Sequence, residues 1–116
     1  MSQNTGRIYI TVAGKRLKSK EGAKIHVGGP ERTGETGDAG VLGFTEKDTL
    51  PFVECVIKHD SDLSLREFQA IVDATISADT DTGRSYVYRN AWCAKCHEID
   101  KGEVAVRFEA MACEEV

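Results

Sequence analysis

From Ala74 to Ala110 apolar and polar side chains change places at nearly every residue, and glycine-containing turns punctuate the pattern. Ala74, Ile76 and Ala78 alternate with Thr75, Ser77 and Asp79, and Tyr86 and Tyr88 with Ser85, Val87 and Arg89. Val104, Val106 and Phe108 alternate with Glu103, Ala105, Arg107 and Glu109. A repeat of two sends successive side chains to opposite faces of a strand, so each run buries one face and leaves the other wet or partner-facing. Asp81-Thr82-Gly83 and Asp100-Lys101-Gly102 fall between the runs and read as hairpin turns with glycine at the position of positive φ. No helical period can bury these side chains on one side.

The same signal runs through the first half. Arg7 to Ala13 alternates, Gly14-Lys15 reads as a tight turn into 16–20, and Ala23 to Val27 is a short strand. Val41–Thr45 and Pro51–His59 follow, the latter with Val53, Cys55 and Ile57 on one face. Residues 28–40 are rich in glycine and polar residues and are expected to form a long mobile loop. Residues 1–6 read as an N-terminal arm and 112–116 as an acidic tail. With six to eight strands and no strand–helix alternation, the pattern argues against a parallel α/β fold. The expectation is a single mainly β domain over 1–116: two packed antiparallel sheets, as a β-sandwich or barrel, with one flanking helix.

That helix is expected over 64–73. Ser64-Leu65-Arg66-Glu67 is a capping box, Leu63 and Phe68 are spaced for a hydrophobic staple, and Leu65, Phe68, Ile71 and Val72 form an apolar stripe. These positions read as packing against a sheet, not as a site.

A formal charge of −4 argues against a basic nucleic-acid binder. No apolar run approaches the roughly 20 residues of a membrane span, so no membrane anchor is expected. The first residues lack a basic stretch leading into an apolar one, which points to assembly in a cytoplasm.

Cys93-Ala94-Lys95-Cys96-His97 spells the haem-attachment pattern, but it continues a strand and no export leader precedes it. Zinc held by Cys93, Cys96 and His97 with Cys55 or Cys113 is the alternative. In an unbroken strand residues i and i+3 face opposite ways, which sets Cys93 and Cys96 apart and disfavours a shared metal. A second Cys-x-x-Cys is absent. The remaining readings for Cys55, Cys93, Cys96 and Cys113 are free thiols or disulfides, including cross-links between subunits.

Asp81-Thr82-Gly83 is also the tripeptide of aspartic proteases, but its neighbours Asp79-Thr80 and Arg84-Ser85 are polar where such a site is apolar. A calcium loop starting at Asp79 would need a bidentate Glu where Asn90 stands. The loop glycines lack the Gly-Lys-Ser/Thr of a phosphate cradle. His26, His59 and His97 have no evident triad partners. No catalytic residue, cofactor or metal is therefore expected.

The order of elements resembles the tail tube proteins of contractile-tailed, Mu-like phages. The matching pieces are Tyr9-Ile-Thr-Val-Ala-Gly-Lys-Arg-Leu17, Gly40-Val-Leu-Gly-Phe-Thr-Glu46, Pro51-Phe-Val-Glu-Cys-Val-Ile57, the capped helix and Thr75-Ile76. Gly83-Arg-Ser-Tyr-Val-Tyr-Arg-Asn-Ala-Trp92 and Gly102-Glu-Val-Ala-Val-Arg-Phe-Glu-Ala110 complete them. The cysteines depart from the family's pattern. The resemblance implies a structural virion protein, not an enzyme, with a subunit of two sheets and a flanking helix. Six copies form a ring whose inner strands join into one β-barrel, and rings stack into a tube. The implied partners are the tail sheath, baseplate or tail terminator and tape-measure proteins, with DNA passing through the lumen unbound. On that reading Glu31, Arg32, Thr33, Glu35, Thr36 and Asp38 are candidates for ring-to-ring or sheath contact. Glu46, Asp48, Glu54 and Asp79 are candidate lumen acids, since negative charge keeps phosphates from sticking.

Overall fold

The computed structural model describes residues 3, 6–17, 19, 22–61 and 63–116. Most of the arm expected over 1–6, and parts of the strand expected over 16–20, lie outside these residues. Tight turns set the hairpins. Ala13 and Gly14 take positive φ (50° and 86°) between β1 (Ile8–Val12) and β2 (Lys15–Arg16). Lys101 and Gly102 do the same (54° and 74°) between β9 (Ile99–Asp100) and β10 (Glu103–Glu109). Two residues at positive φ make the turn whose twist matches that of paired strands. Asp81-Thr82-Gly83 joins β7 (Ala74–Thr80) to β8 (Ser85–Lys95), and Thr80 Oγ1 closes the turn by donating to the Arg84 carbonyl at 2.7 Å. The protease-like tripeptide is a solvent-exposed turn.

Two antiparallel layers share β8. One runs β2-β1-β7-β8-β11, with β11 spanning Ala112–Glu115. The other runs β8-β10-β6-β3, with β9 on β10, β6 spanning Phe52–Lys58 and β3 spanning Lys24–His26. We call them the first and second sheets. Their facing sides bury Ile10, Val12, Ile76, Ala78 and Tyr88 against Val53, Cys55, Ile57, Val104, Val106 and Phe108. These are the alternating positions of the sequence, so the period of two decides the interior. Tyr88, among the largest buried side chains, crosses the interior and donates its hydroxyl to the His26 carbonyl at 3.0 Å. That bond satisfies the one polar atom the residue brings inside and ties the sheets together.

β8 serves both sheets because it carries two irregularities. Ala74 pairs with Ala91 but Ile76 with Tyr88, so the strand gains a residue near Asn90. Asn90 takes φ 52°, a left-handed value that asparagine tolerates better than most residues, and its amide donates to Asp73 Oδ1 at 2.9 Å. Further on, Phe108 pairs with Cys93 but Arg107 with Lys95, which leaves Ala94 as a second extra residue.

Residues 28–40 are not a loop. β4 (Gly29–Gly37) and β5 (Gly40–Thr49) pair from Gly29↔Thr49 to Gly37↔Gly40, with one register shift that leaves Leu42 extra, making a separate two-stranded sheet. Gly-Pro-Glu-Arg-Thr-Gly-Glu-Thr-Gly shows no alternation because β4 is exposed at every position, so no burial pattern marked it as a strand. A nine-residue strand is about 30 Å long. Accordingly the molecule measures 63 × 38 × 26 Å, and its radius of gyration of 17.3 Å exceeds the roughly 13 Å of a compact chain of this length.

The helix α1 (Leu65–Gln69) is shorter than the expected 64–73. Ser64 caps it by accepting from the Glu67 amide at 3.4 Å, and Phe68 packs edge-on to Phe108 with ring centroids 6.1 Å apart. It ends at Ala70 because the chain is then drawn into the sheet: the Ile71 carbonyl accepts from the Cys93 amide at 3.0 Å. Val72 leaves the apolar stripe and is 74% exposed. The expected acidic tail is likewise a strand. β11 pairs Ala112 to Glu115 with Arg89 to Tyr86, and Arg89–Glu114 (3.3 Å) and Arg84–Glu115 (3.1 Å) flank the ladder.

Phe108→Ala should cost the isolated chain about 3–5 kcal/mol in urea unfolding, while Phe44→Ala on the projecting hairpin should change it by less than about 0.5 kcal/mol. Equal losses at the two positions would contradict the separation of core and hairpin.

Candidate functional site

Strand margins come first. At one margin of the first sheet, the Val116 amide donates to the Ser85 carbonyl at 2.8 Å, which fixes the phase of β11. In an antiparallel pair inward and outward backbone groups alternate, so Ala112, Glu114 and Val116 face β8 while the amides and carbonyls of Cys113 and Glu115 face out. At the other margin β2 covers only Thr11 and Val12, and the Leu17 amide takes the Ile10 carbonyl at 2.8 Å. Among the described residues no strand covers the Ile8 end of β1. The second sheet ends in the three-residue β3 and in the tail of β8, which Ile71 covers.

The hairpin is the second feature. Val41 (80% exposed), Leu42 (68%) and Phe44 (61%) sit bare on β5. Arg32 braces it, donating to Glu46 at 2.6 Å with its guanidinium 5.7 Å from the centre of the Phe44 ring. The sequence reading chose the polar residues of this segment, Glu31, Arg32, Thr33, Glu35, Thr36 and Asp38, which lie along β4 and its turn. It missed the apolar side chains opposite them. With β4 unreadable as a strand, the sequence carried no sign that these apolar side chains lack an interior to enter.

The four acids chosen as lumen candidates are not brought together. Glu46 and Asp48 ride on the hairpin, and Glu46 is already held by Arg32. Glu54 projects from the outer face of the second sheet, between buried Val53 and Cys55, and pairs with Arg107. Arg107 also holds Glu109 at 3.0 Å and stacks 4.0 Å over Phe52. Asp79 lies on the outer face of the first sheet, where Ser85 and Ser77 donate to it at 2.7 and 3.3 Å. Glu54 and Asp79 thus stand on opposite outer faces with the core between them.

A family profile described as phage tail tube protein matches residues 1–115. The chain belongs to that family. It is 29% identical over 116 residues to the Mu-like prophage FluMu tail tube protein of Haemophilus influenzae, covering 99% of this chain and 98% of the relative. It is 32% identical over 105 residues to the tail tube protein of Escherichia phage Mu, covering 90% and 88%. Among solved structures the fold matches the tube-terminating cap of an anti-feeding prophage (TM-score 0.69, 12% identity, covering 97% of this chain and 89% of that one). It also matches a chain in the sheath–tube complex of an extracellular contractile injection system (TM-score 0.61, 11% identity, covering 95% and 88%). Phage tail tube proteins are structural components of the virion, and this mostly antiparallel β fold is of their kind.

In this tail tube chain no three His, Cys, Asp or Glu side chains converge among the described residues. All four are free thiols. Cys55 and Cys96 are buried, while Cys93 and Cys113 are partly exposed. The sequence argument that set Cys93 and Cys96 on opposite faces also fails, because the extra residue at Ala94 resets the alternation. Cys93 pairs with buried Phe108, Lys95 with outward Arg107, and Cys96 turns back inside. The histidines are peripheral: His26 stacks on Phe52 at 4.9 Å and accepts from the Gly28 amide, and His97 is exposed.

Burial alone pushes the Cys55 thiol from 9.0 up to about 11. The unfolded thiol ionises first, so this group's contribution to stability is complete below pH 9 and is lost as pH rises from there to about 11. Cys55→Ala should therefore flatten part of the alkaline fall in urea midpoint, whatever it costs at neutral pH. An unchanged slope would show that Cys55 is not protected in this way.

Proposed function

We propose that six copies of this chain close into a ring and that rings stack into a tail tube through which DNA reaches the host. The observation that carries this reading is the hairpin of β4 and β5. A lone two-stranded hairpin is marginal in water, and this one gets no burial from its own chain while displaying Val41, Leu42 and Phe44. A sibling subunit supplies the missing surface. The whole-length match to phage tail tube proteins supports the same assembly.

The first sheet is the one that continues across subunits. Its margins, the Ile8 end of β1 and the outward groups of Cys113 and Glu115 on β11, are complementary unpaired ladders, and joining them removes edges that would otherwise invite aggregation. Its outer face then lines the channel, carrying Asp79 among the hydroxyls of Thr11, Ser77 and Ser85. Glu54 faces away from the channel, and Glu46 and Asp48 travel with the hairpin to the joint. At −4 per chain a six-fold ring carries −24 formal charges, which disfavours a net hold on phosphates although Arg16 and Arg89 share this face. These hydroxyls, Asp79, the Arg89–Glu114 pair and Arg16 over Tyr9 make a wetted wall of mixed charge. The hairpin, with Glu31 to Asp38 along its polar edge, bridges to the neighbouring ring. The outer face of the second sheet is left for a sheath, and the tube's ends for tape-measure, baseplate and terminator proteins. Assembly takes place in the host cytoplasm.

The purified chain should form annular or cylindrical particles in negative stain. Glu115→Pro removes an outward amide but none of the inward ladder, so it should leave the circular dichroism spectrum intact and abolish ring closure. Deleting residues 31–38 should leave rings but impair their stacking. Normal tubes from both variants would refute the assigned joints.

A further inference from the structure

We infer that Cys93 and Cys96 are a thiol–disulfide pair, held on one side of β8 by the Ala94 bulge and able to close within the chain without moving the sheets. The pairing pattern carries the argument. Phe108 is buried and faces Cys93; Arg107 points out and faces Lys95; the next residue, Cys96, is buried. Across the bulge the two cysteines thus occupy neighbouring inward positions, and each thiol bears on the other's ionisation. A regular strand would have put them on opposite faces. Cys55 and Cys113 lie on β6 and β11, strands that do not pair with each other.

The surroundings assign the two sulfurs different parts. Both cysteines border a shallow depression lined also by Arg66, Gln69, Lys95 and His97, but Cys93 is partly exposed whereas Cys96 has no exposed surface. An external low-molecular-weight disulfide therefore meets Cys93 first. The Cys93 thiolate attacks one sulfur of that disulfide, breaks its S–S bond and expels one thiolate, leaving a mixed disulfide on Cys93. The Cys96 thiolate then attacks the Cys93 sulfur and expels the second thiolate. The two protons lost by the cysteines pass to the two departing thiolates, and the external disulfide is the oxidant reduced. Burial, reinforced by the adjacent thiol, lifts Cys93 to about 11. The first step is consequently slow at neutral pH and speeds up about tenfold for each pH unit below that value.

Closure reaches the helix. The Cys96 carbonyl accepts from Gln69 Nε2 at 2.8 Å, and the Cys93 amide donates to the Ile71 carbonyl at 3.0 Å. The bond would lie between two hydrogen bonds that already moor α1 and its exit to the end of β8. The oxidised chain should hold this corner more firmly than the reduced one.

The test is treatment of the reduced full-length chain with oxidised glutathione at mildly alkaline pH, followed by thiol titration and peptide mapping. Free thiols should fall from four to two, with Cys93 joined to Cys96 in a monomeric chain. Cys96→Ser should instead stop at a lasting glutathione adduct on Cys93, and Cys93→Ser should leave Cys96 unmodified. The oxidised wild type should unfold at a higher urea concentration than the reduced. A count that stays at four, a mapped bond that includes Cys55 or Cys113, or equal urea midpoints would overturn the inference.

Discussion

The architecture depends on β8. Eleven residues of one strand take part in both sheets, and the two extra residues near Asn90 and at Ala94 let them do so. Before Asn90 the inward positions are Tyr86 and Tyr88; after it they are Ala91 and Cys93; after Ala94 the next is Cys96. Without these shifts, residues 90, 92 and 94 would turn toward the interior, and a strand that flips every side chain loses its core. The Tyr88 hydroxyl and the docking of Ile71 on Cys93 both hang on this phase. So does the placement of β11, which pairs with the part of β8 before the first irregularity.

The core is confined to the two sheets and the helix. Among the described residues sixteen form the buried hydrophobic cluster, none of them from the hairpin. The surface ion pairs along β11 and the Arg32–Glu46 pair are each worth about 0–1 kcal/mol, too little to replace a core. On the proposed assembly, much of the hairpin's and the open margins' stability comes from association. A chain of this kind trades solubility of its monomer for completeness of its assembly, and the charge of −4 offsets part of the risk.

The strands that line the core were legible in the sequence because one face of each is apolar. Val53, Cys55 and Ile57, then Val104, Val106 and Phe108, declare themselves by spacing alone. β4 and β11 were not legible, since neither Gly29–Gly37 nor Ala112–Glu115 buries an apolar face, and pairing rather than composition makes them strands. The bulge at Ala94 left no mark that a spacing argument could read, which is why Cys93 and Cys96 were set apart. The capping box located the start of α1 correctly, but a tertiary hydrogen bond at Ile71 ended the helix early. For the acids, the sequence could name polar faces but not which face is inside a tube, because that is decided between subunits.

The most direct measurement is amide hydrogen exchange on the hairpin as a function of protein concentration. Residues 29–49 should exchange nearly as freely as an unfolded peptide in the dilute chain, while Val53 to Ile57 and Val104 to Phe108 stay protected. On assembly the hairpin should gain protection of several orders of magnitude together with Cys113 and Glu115. A hairpin already protected in the dilute monomer, or one still unprotected in particles, would contradict the view that its missing partner is another copy of the chain.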